Sequence, residues 1–119
     1  MSRNPVNRMN ERLGEAVVLR RQVSAAPVRF AEAVVKARVR ETGSEPLAGG
    51  AAQRRFTVIV AEGALAGTSF PLGGPTKGDA VIINPTVENG RWTGGGETLT
   101  VDRPGYMGAG TGWWMEAVG

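Results

Sequence analysis

Short strand-like runs, each set off by glycine or proline, are the feature that most constrains how this chain can fold. Four of them lie in its second half and begin at Gln53, Lys77, Glu97 and Gly112. They are rich in Val, Ile, Thr and Trp, which suit the half-buried, pleated surface of a β-sheet. The chain has 18 Gly and 7 Pro among 119 residues, so much of the remainder must be turn and loop. We expect a compact β unit that closes with the run at 112–119.

Alternating apolar and polar residues predict six strands in one domain over residues 15–119. The predicted strands are Glu15–Arg21, Val28–Glu41, Arg54–Ala61, Asp79–Ile83, Thr98–Asp102 and Trp113–Val118. In the second strand, Val35, Ala37 and Val39 alternate with basic residues, a period of two that predicts one buried face and one cationic face. Ala and Glu at 31–33 would also fit a helix, but the alternation over 34–40 favours a strand. The predicted fold class is therefore a mainly β protein, a small β-barrel with long loops.

Two long loops separate these strands. The first, Thr42–Ala52, is rich in small residues and almost uncharged. The second covers residues 86–96 and contains Asn89-Gly90, a strong tight-turn signal, so it is expected to form a small hairpin with Trp92 near its tip. Three shorter features are also predicted: one helical turn at Glu62–Gly67, an edge of the barrel filled by Phe70, and a glycine-rich turn at Arg103–Gly112.

A short N-terminal helix is predicted over residues 1–14. Asn4 can cap it, Pro5 suits its first position and Gly14 can end it. Apolar residues at positions 6, 9 and 13 give it one apolar stripe. Because so short a helix is marginal in water, it must either lie on its own barrel or serve as an arm that reaches another subunit.

Composition excludes several classes of chemistry. The chain has no His and no Cys, which removes His bases, Cys nucleophiles, Cys/His zinc sites and disulfides. The carboxylates show no calcium-loop spacing, and the glycine runs do not open helices as a phosphate-binding loop would. We therefore expect no enzymatic activity, no metal and no cofactor. No apolar run is long enough to span a bilayer and no secretory signal is apparent, so we expect a cytoplasmic origin and no membrane contact.

Charge is unevenly distributed along the chain. Residues 1–61 carry eleven Lys/Arg and five Asp/Glu, a balance of +6, whereas residues 62–119 carry three and six, a balance of −3. A positive face could meet nucleic acid or an acidic partner, or it could be an ordinary solvated strand face. A third possibility is that subunits related by rotation pair a positive patch with a neighbour's negative patch and so close into a ring.

The order of these runs resembles that of the small neck proteins of tailed bacteriophages, the head-closure or head–tail joining proteins also called stoppers. The resemblance covers residues 15–119 and follows this order: Arg54-Arg55-x-x-Val58-Ile59-Val60, Phe70-Pro71, Lys77-Gly78-Asp79-x-Val81-Ile82, Thr98–Asp102 and an aromatic last strand. The 86–96 segment departs from the family, whose members often have a tight turn there.

What the resemblance implies is a small β-barrel that assembles into a ring, usually of six subunits, in the virion neck. Such a ring, assembled in the host cytoplasm, would lie between the portal-associated adaptor and the tail, where it contacts the tail terminator or tail tube protein. It would close the channel through which packaged double-stranded DNA passes. The loop between the second and third strands would project into that channel. Here its residues are Thr42, Gly43, Ser44, Glu45, Pro46, Leu47, Ala48, Gly49 and Gly50.

Candidate contact residues follow from the arginine-rich strand faces and the tryptophans. Adjacent Trp113 and Trp114 must face opposite sides of the last strand, so one fills the core and the other lies outside. Residues expected to contact other subunits or the adaptor are Arg38, Arg40, Arg54, Arg55, Trp92 and Trp113. Two alternatives stay open: another connector such as a tail terminator or adaptor, or a single-strand nucleic-acid binder of the OB type that uses Arg38, Arg40, Trp92 and Trp113.

Overall fold

The computed structural model describes residues 14–46, 52–71, 73–107 and 112–119. The described part is mainly β, with eight strands and one short 3-10 turn, Glu62–Leu65. The strands are β1 (Glu15–Ala25), β2 (Val28–Pro46), β3 (Ala52–Ala61), β4 (Ala80–Ile83), β5 (Thr86–Glu88), β6 (Arg91–Gly94), β7 (Glu97–Tyr106) and β8 (Gly112–Val118). This confirms the predicted mainly β class and the helical turn after β3. The predicted N-terminal helix, apart from Gly14, lies outside the described residues.

Six of the strands form a closed barrel in the order β1–β2–β3–β8–β7–β4. Every neighbouring pair is antiparallel, including β1 with β4, which closes the barrel. Closure gives every barrel strand a partner on each side over part of its length and so reduces the exposed sheet edges that promote aggregation. The predicted barrel is confirmed, and β5 and β6 form a separate two-stranded hairpin.

Alternate residues of each barrel strand fill the interior. Phe56, Val58 and Val60 of β3 lie in the core, as the alternation predicted, and Phe70 is 2% exposed within it. The other large members of the core are Val17, Leu19, Val35, Leu65, Val81, Ile83, Leu99, Val101, Trp113 and Met115. Burying a side chain of this size contributes about 1.5–3 kcal/mol before entropy is counted, so this interior is the main source of stability.

The β5–β6 hairpin packs on the outside of the barrel. The residues on either side of Val18 and of Ile82 point into the core, so Val18 and Ile82 themselves point outward. Both are nevertheless fully buried, which means that another part of the chain covers them. Trp92 of β6 lies 5.4 Å from the guanidinium of Arg20 on β1 and lines a groove with Val34 of β2. The hairpin that residues 86–96 were predicted to form therefore exists, and its Trp92 lies against the outer face of β1 and β2.

Two predicted loops are partly wrong. Thr42–Pro46 and Ala52 belong to β2 and β3 and not to an open loop. A bulge between Glu41 and Gly43 absorbs one residue, and Pro46 stands last in its strand, where a missing N–H costs least.

The glycine-rich turn predicted at Arg103–Gly112 is likewise shorter than expected. Residues 103–106 continue β7 and pair with β8 after a bulge. β4 pairs with β7 only as far as Thr100, so Pro104 has a neighbouring strand only on the β8 side, where it lies opposite Met115. Gly105 lies against the Trp114 ring, and a Cβ there would make a tight contact of 3.1 Å with Trp114 Cε3.

Candidate functional site

The hairpin of β2 and β3 extends past its neighbours in the barrel. β1 pairs with β2 only from Ala37 toward its start, and β8 ends at Val118, opposite Arg55. β2 and β3 continue to pair beyond those points, up to Pro46 opposite Ala52. We call residues 43–46 and 52–54 the ribbon. It carries residues 47–51, the remainder of the predicted channel loop, which lie outside the described residues.

Arg54 holds the base of the ribbon to the barrel. Its Nε and Nη2 each donate to a Glu41 oxygen at 3.2 Å, and its Nη1 donates to the two Glu97 oxygens at 3.1 and 2.9 Å. The guanidinium also lies 4.9 Å from the centre of the Phe56 ring. Because Glu97 begins β7, this cluster ties three strands together at the point where the ribbon leaves the barrel. Two backbone hydrogen bonds of 3.1 Å between Arg54 and Gly119 reinforce the same junction.

The Arg54 cluster predicts a pH dependence that can be measured at one residue. Hydrogen bonds from Arg54, aided by its charge and opposed by desolvation, hold the pKa of Glu41 below its ordinary value of 4.5. A carboxylate with a lowered pKa stabilises the fold above its unfolded pKa, and that stabilisation is lost as pH falls through the folded pKa. An NMR titration should place the Glu41 midpoint below 4.5. Arg54→Gln should raise it and Arg103→Gln should not; a midpoint that Arg54→Gln leaves unchanged would contradict the pairing.

Arg55, also expected to contact a partner, pairs within its own subunit. Its Nη1 lies 3.6 Å from an Asp102 oxygen. Both side chains are about a third exposed, so this is a surface pair of modest strength. Arg54 and Arg55 thus both form ion pairs with acidic side chains of the same subunit, and these pairs hold the base of the ribbon in place.

The structure assigns the two adjacent tryptophans to opposite faces. Trp113 is 7% exposed, lies in the core and stacks at 6.1 Å on Tyr106, so its expected role as a contact residue is replaced by a packing role. Trp114 faces outward beside Ile59 of β3 and is half-buried. The sequence alone did not show which of the two tryptophans points into the core, and only the pairing register of β8 with β3 distinguishes them. Trp114 takes the place of Trp113 as the aromatic contact candidate.

Trp92 contributes to packing within the subunit. It is half-buried, its Nε1 donates to the Gly95 carbonyl at 3.2 Å, and it lies over Arg20. Arg20 is held between this ring and Phe30, whose centre is 3.6 Å from the guanidinium carbon. These contacts explain why the hairpin stays against the barrel, and they leave Trp92 with little free surface for a partner.

Three cations form a row on the outer face of β2. Lys36, Arg38 and Arg40 are all exposed and occupy alternate positions that lead toward the ribbon. Their cross-strand neighbours are uncharged: Ala16 opposite Lys36, Ile59 opposite Arg38 and Thr57 opposite Arg40. A shallow groove of about 190 Å³ runs beside the row and is lined by Arg38, Arg40, Thr42, Thr57 and Ile59. We call Lys36, Arg38 and Arg40 the cationic row.

A buried ion pair closes the opposite end of the barrel. Asp79 is 4% exposed and accepts two hydrogen bonds of 2.8 Å from Arg21, together with one of 2.8 Å from the Thr76 backbone N–H. Arg21 also donates to the Gly74 carbonyl at 3.0 Å. The hydrogen bonds to Asp79 raise the pKa of Arg21 above its ordinary value. Sequence analysis missed this pair, because its partners lie 58 positions apart and only the barrel brings them together.

The two ends of the barrel differ in character. The large hydrophobic side chains that are well exposed among the described residues are Val23, Val28, Phe30, Tyr106 and Met107. All five lie at the end that carries the β1–β2 and β7–β8 turns. The ribbon and the Arg54 cluster lie at the other end. Such an arrangement offers two chemically distinct surfaces on opposite sides of one small domain.

Within the described residues, no three acidic side chains are placed to hold a metal ion. In the same part of the chain, no helix has the length and apolar character to cross a membrane. A scan against models of protein families found no match for this chain, and searches of curated proteins and of solved structures found none either.

Proposed function

We propose that this chain is a structural protein of the neck of a tailed-bacteriophage virion, the head-closure or stopper ring that joins the portal-associated adaptor to the tail. The observation that carries the proposal is a closed barrel whose second and third strands continue as a ribbon past their neighbours. The resemblance over residues 15–119 calls for a long excursion at this point of a small barrel. Many charged side chains of the described residues form ion pairs between neighbouring strands, as suits a scaffold.

In the proposed ring, six subunits surround the channel and the ribbon projects into it. The channel loop that the resemblance implies, Thr42–Gly50, would then meet or block DNA, and the Arg54 cluster fixes the ribbon base to β7. An anchored base with a small, nearly uncharged tip suits a plug that must move aside without unfolding the barrel. The plug would thus close the channel after packaging and open when DNA leaves.

The two unlike ends of the barrel support a position between two different partners. The apolar end, with Val28 59% and Val23 56% exposed, suits a stable protein interface. In the proposed neck, one end meets the adaptor and the other meets the tail terminator or tail tube protein. Trp114, with Ile59 beside it on the outer wall, is the candidate for contact between neighbouring subunits.

The alternatives fit these observations less well. An OB-type binder is built on a five-stranded barrel, whereas this barrel has six strands, all antiparallel. Trp113, one of the aromatic residues it would use, is buried in the core. An adaptor or tail terminator should carry long helices, and the described residues contain only one 3-10 turn.

The proposed ring predicts a defined copy number. Native mass spectrometry of the purified chain over a range of concentrations should show a species of about six subunits, because a heterologous contact that closes forms a ring. Trp114→Ala should shift the population toward the monomer while the circular dichroism spectrum stays β-type. A chain that is monomeric at every concentration, or that forms open-ended polymers, would contradict the proposal.

A further inference from the structure

We propose that the last residues of β1, at the apolar end of the barrel, bind an extended segment of a partner protein that carries both apolar and acidic side chains. This inference deepens the proposed function and rests on it, because it names the kind of segment through which the adaptor or the tail protein would contact this end. Three observations carry it: a strand edge without a neighbouring strand, a positively charged groove beside that edge, and exposed apolar side chains around both.

The first observation is that β1 extends past the strand beside it. β4 pairs with β1 only as far as Arg20, so residues 22–25 have no neighbouring strand on that side among the described residues. The backbone N–H of Glu32, opposite Arg20, donates to the Ser69 hydroxyl, and the Glu32 C=O accepts from it, so neither group points at β1. The backbone groups of Arg20 therefore point away from β2, and those of Gln22, two residues further on, point the same way. We call residues 22–25 the open edge.

An open edge of this kind can be extended by one more strand. Its backbone N–H and C=O groups offer hydrogen bonds to an extended segment laid beside them, and these bonds supply affinity while nearby side chains supply specificity. The open edge covers about 13 Å at the usual rise of a strand, enough to pair with a short stretch of a partner chain.

The second observation is a groove of about 510 Å³ between the open edge and the loop at 76–79. The charged residues that line it are Arg20, Arg21, Lys77 and Asp79. Asp79 is paired with Arg21 at 2.8 Å, and Glu32 lies 3.5 Å from Arg20. The exposed ammonium group of Lys77 therefore adds positive charge that these two carboxylates do not balance. A positively charged groove selects acidic side chains in a partner.

The third observation is that apolar side chains border the same groove. Phe30 is 39% exposed and lines it, and Val23, 56% exposed, belongs to the open edge. The charged backbone of DNA would gain nothing from covering these side chains. A lipid surface would meet the tip of the β1–β2 hairpin but would not enter a groove or pair with a strand edge. An extended protein segment with apolar and acidic side chains fits all three features.

The test measures binding of a short, fluorescently labelled peptide that alternates valine with glutamate, by anisotropy at low salt. The wild-type chain should bind it, and added salt should weaken binding because part of the attraction is electrostatic. A peptide of the same length that alternates valine with lysine should bind at least about tenfold more weakly. Equal binding of the two peptides would overturn the proposal, and so would the absence of binding by the glutamate peptide at the lowest salt.

A backbone-methylated peptide tests whether the partner adds as a strand. It keeps the side chains and charge of the glutamate peptide but cannot donate backbone hydrogen bonds, so its affinity should fall by at least about tenfold. On the protein, Gln22→Pro removes an N–H that points away from β2, so it should weaken binding and keep the pairing of β1 with β2. Because proline also restricts the backbone, the methylated peptide decides the matter: binding as tight as that of its parent would refute strand addition.

Charge reversal at Lys77 tests the groove. Lys77→Glu replaces an attraction with a repulsion and should weaken binding of the glutamate peptide by about tenfold. The matched control is Lys36→Glu, which changes net charge equally at an exposed position opposite Ala16, on the outer face of β2 and away from the groove. It should keep the wild-type affinity within about twofold. Equal losses in the two variants, both with β-type circular dichroism spectra, would show that net charge explains binding and would overturn the proposal.

Phosphatidylglycerol vesicles and a short DNA duplex test the other anionic partners. Neither should bind through the groove; binding that Lys77→Glu abolishes would assign the groove to a lipid surface or to DNA and overturn the inference. The copy number of the ring is measured separately by native mass spectrometry. A ring that forms but does not bind the glutamate peptide would refute this inference alone, whereas a monomeric chain would refute the proposed function.

Discussion

Replacing Gly74 with alanine is expected to lower the free energy of unfolding by about 3–4 kcal/mol. Gly74 has a φ of +87°, a conformation that residues with a Cβ adopt only under strain. A Cβ at this position would also overlap the indole of Trp113, touching its Nε1, Cε2 and Cδ1 atoms. Because Trp113 is part of the core, it cannot move away without opening a cavity there.

Alanine variants of two nearby glycines distinguish the two causes of this loss of stability, which are backbone strain and overlap with the indole. Gly73 has no positive φ and open space around its Cα, so Gly73→Ala should change stability by less than about 0.5 kcal/mol. Gly78 has a φ of +94° but open space, so Gly78→Ala should show the backbone strain alone, about 1–2 kcal/mol. Urea unfolding followed by tryptophan fluorescence measures all three variants. A Gly74→Ala variant no less stable than Gly78→Ala would show that the indole does not occupy this place.

Substituting Asp79 with alanine is expected to lower the free energy of unfolding by about 3 kcal/mol. This value lies at the lower end of the range for a broken buried ion pair, because 25% of the Arg21 side chain is exposed. The change removes the acceptor of two Arg21 hydrogen bonds and leaves that guanidinium against an apolar neighbour, Phe70, 5.0 Å away. It also leaves the backbone N–H of Thr76 without its acceptor. The loop at 73–79, which holds Gly74 against Trp113, would lose its anchor.

The matched control is Asp102→Ala, which breaks the exposed pair with Arg55 and should cost less than about 1 kcal/mol. A second comparison is the double variant Arg21→Met/Asp79→Leu. Replacing both partners with apolar side chains leaves no buried charge, so it should be more stable than Asp79→Ala alone. Equal losses for Asp79→Ala and Asp102→Ala in urea unfolding would mean that burial does not strengthen the Arg21 pair.

Sequence patterns predicted the barrel because its strands obey a strict period of two. Val35 and Ala37 on β2, and Leu99 and Val101 on β7, are buried as the alternation required. The same reasoning predicted the hairpin at 86–96 from its Asn-Gly turn, and Asn89 does have the positive φ of 52° that such a turn needs. Strand identity was therefore encoded locally, by periodicity and turn chemistry.

Strand length and cross-strand pairing were not encoded locally. Residues 42–46 have the composition of a loop, yet they stay in a strand because β3 supplies the partner for their backbone groups. The faces of Trp113 and Trp114 depend on the register of β8 with β3, which a period of two leaves ambiguous. These features follow from contacts between segments far apart in the chain.

The candidate site was predicted in part. The alternation on β2 already placed Lys36, Arg38 and Arg40 on one face, and the structure shows all three exposed. The acidic partners of Arg54 and Arg55 are brought close only when the barrel closes, so no local pattern predicted those ion pairs.

The central claim, that this barrel forms a ring around a channel, is tested most directly by electron cryo-microscopy of the purified protein at high concentration. We expect end-on views with six-fold symmetry, in which the ribbon at 43–46 and 52–54 points toward the central opening. Particles without a central opening, or rings with the ribbon on their outer rim, would contradict it.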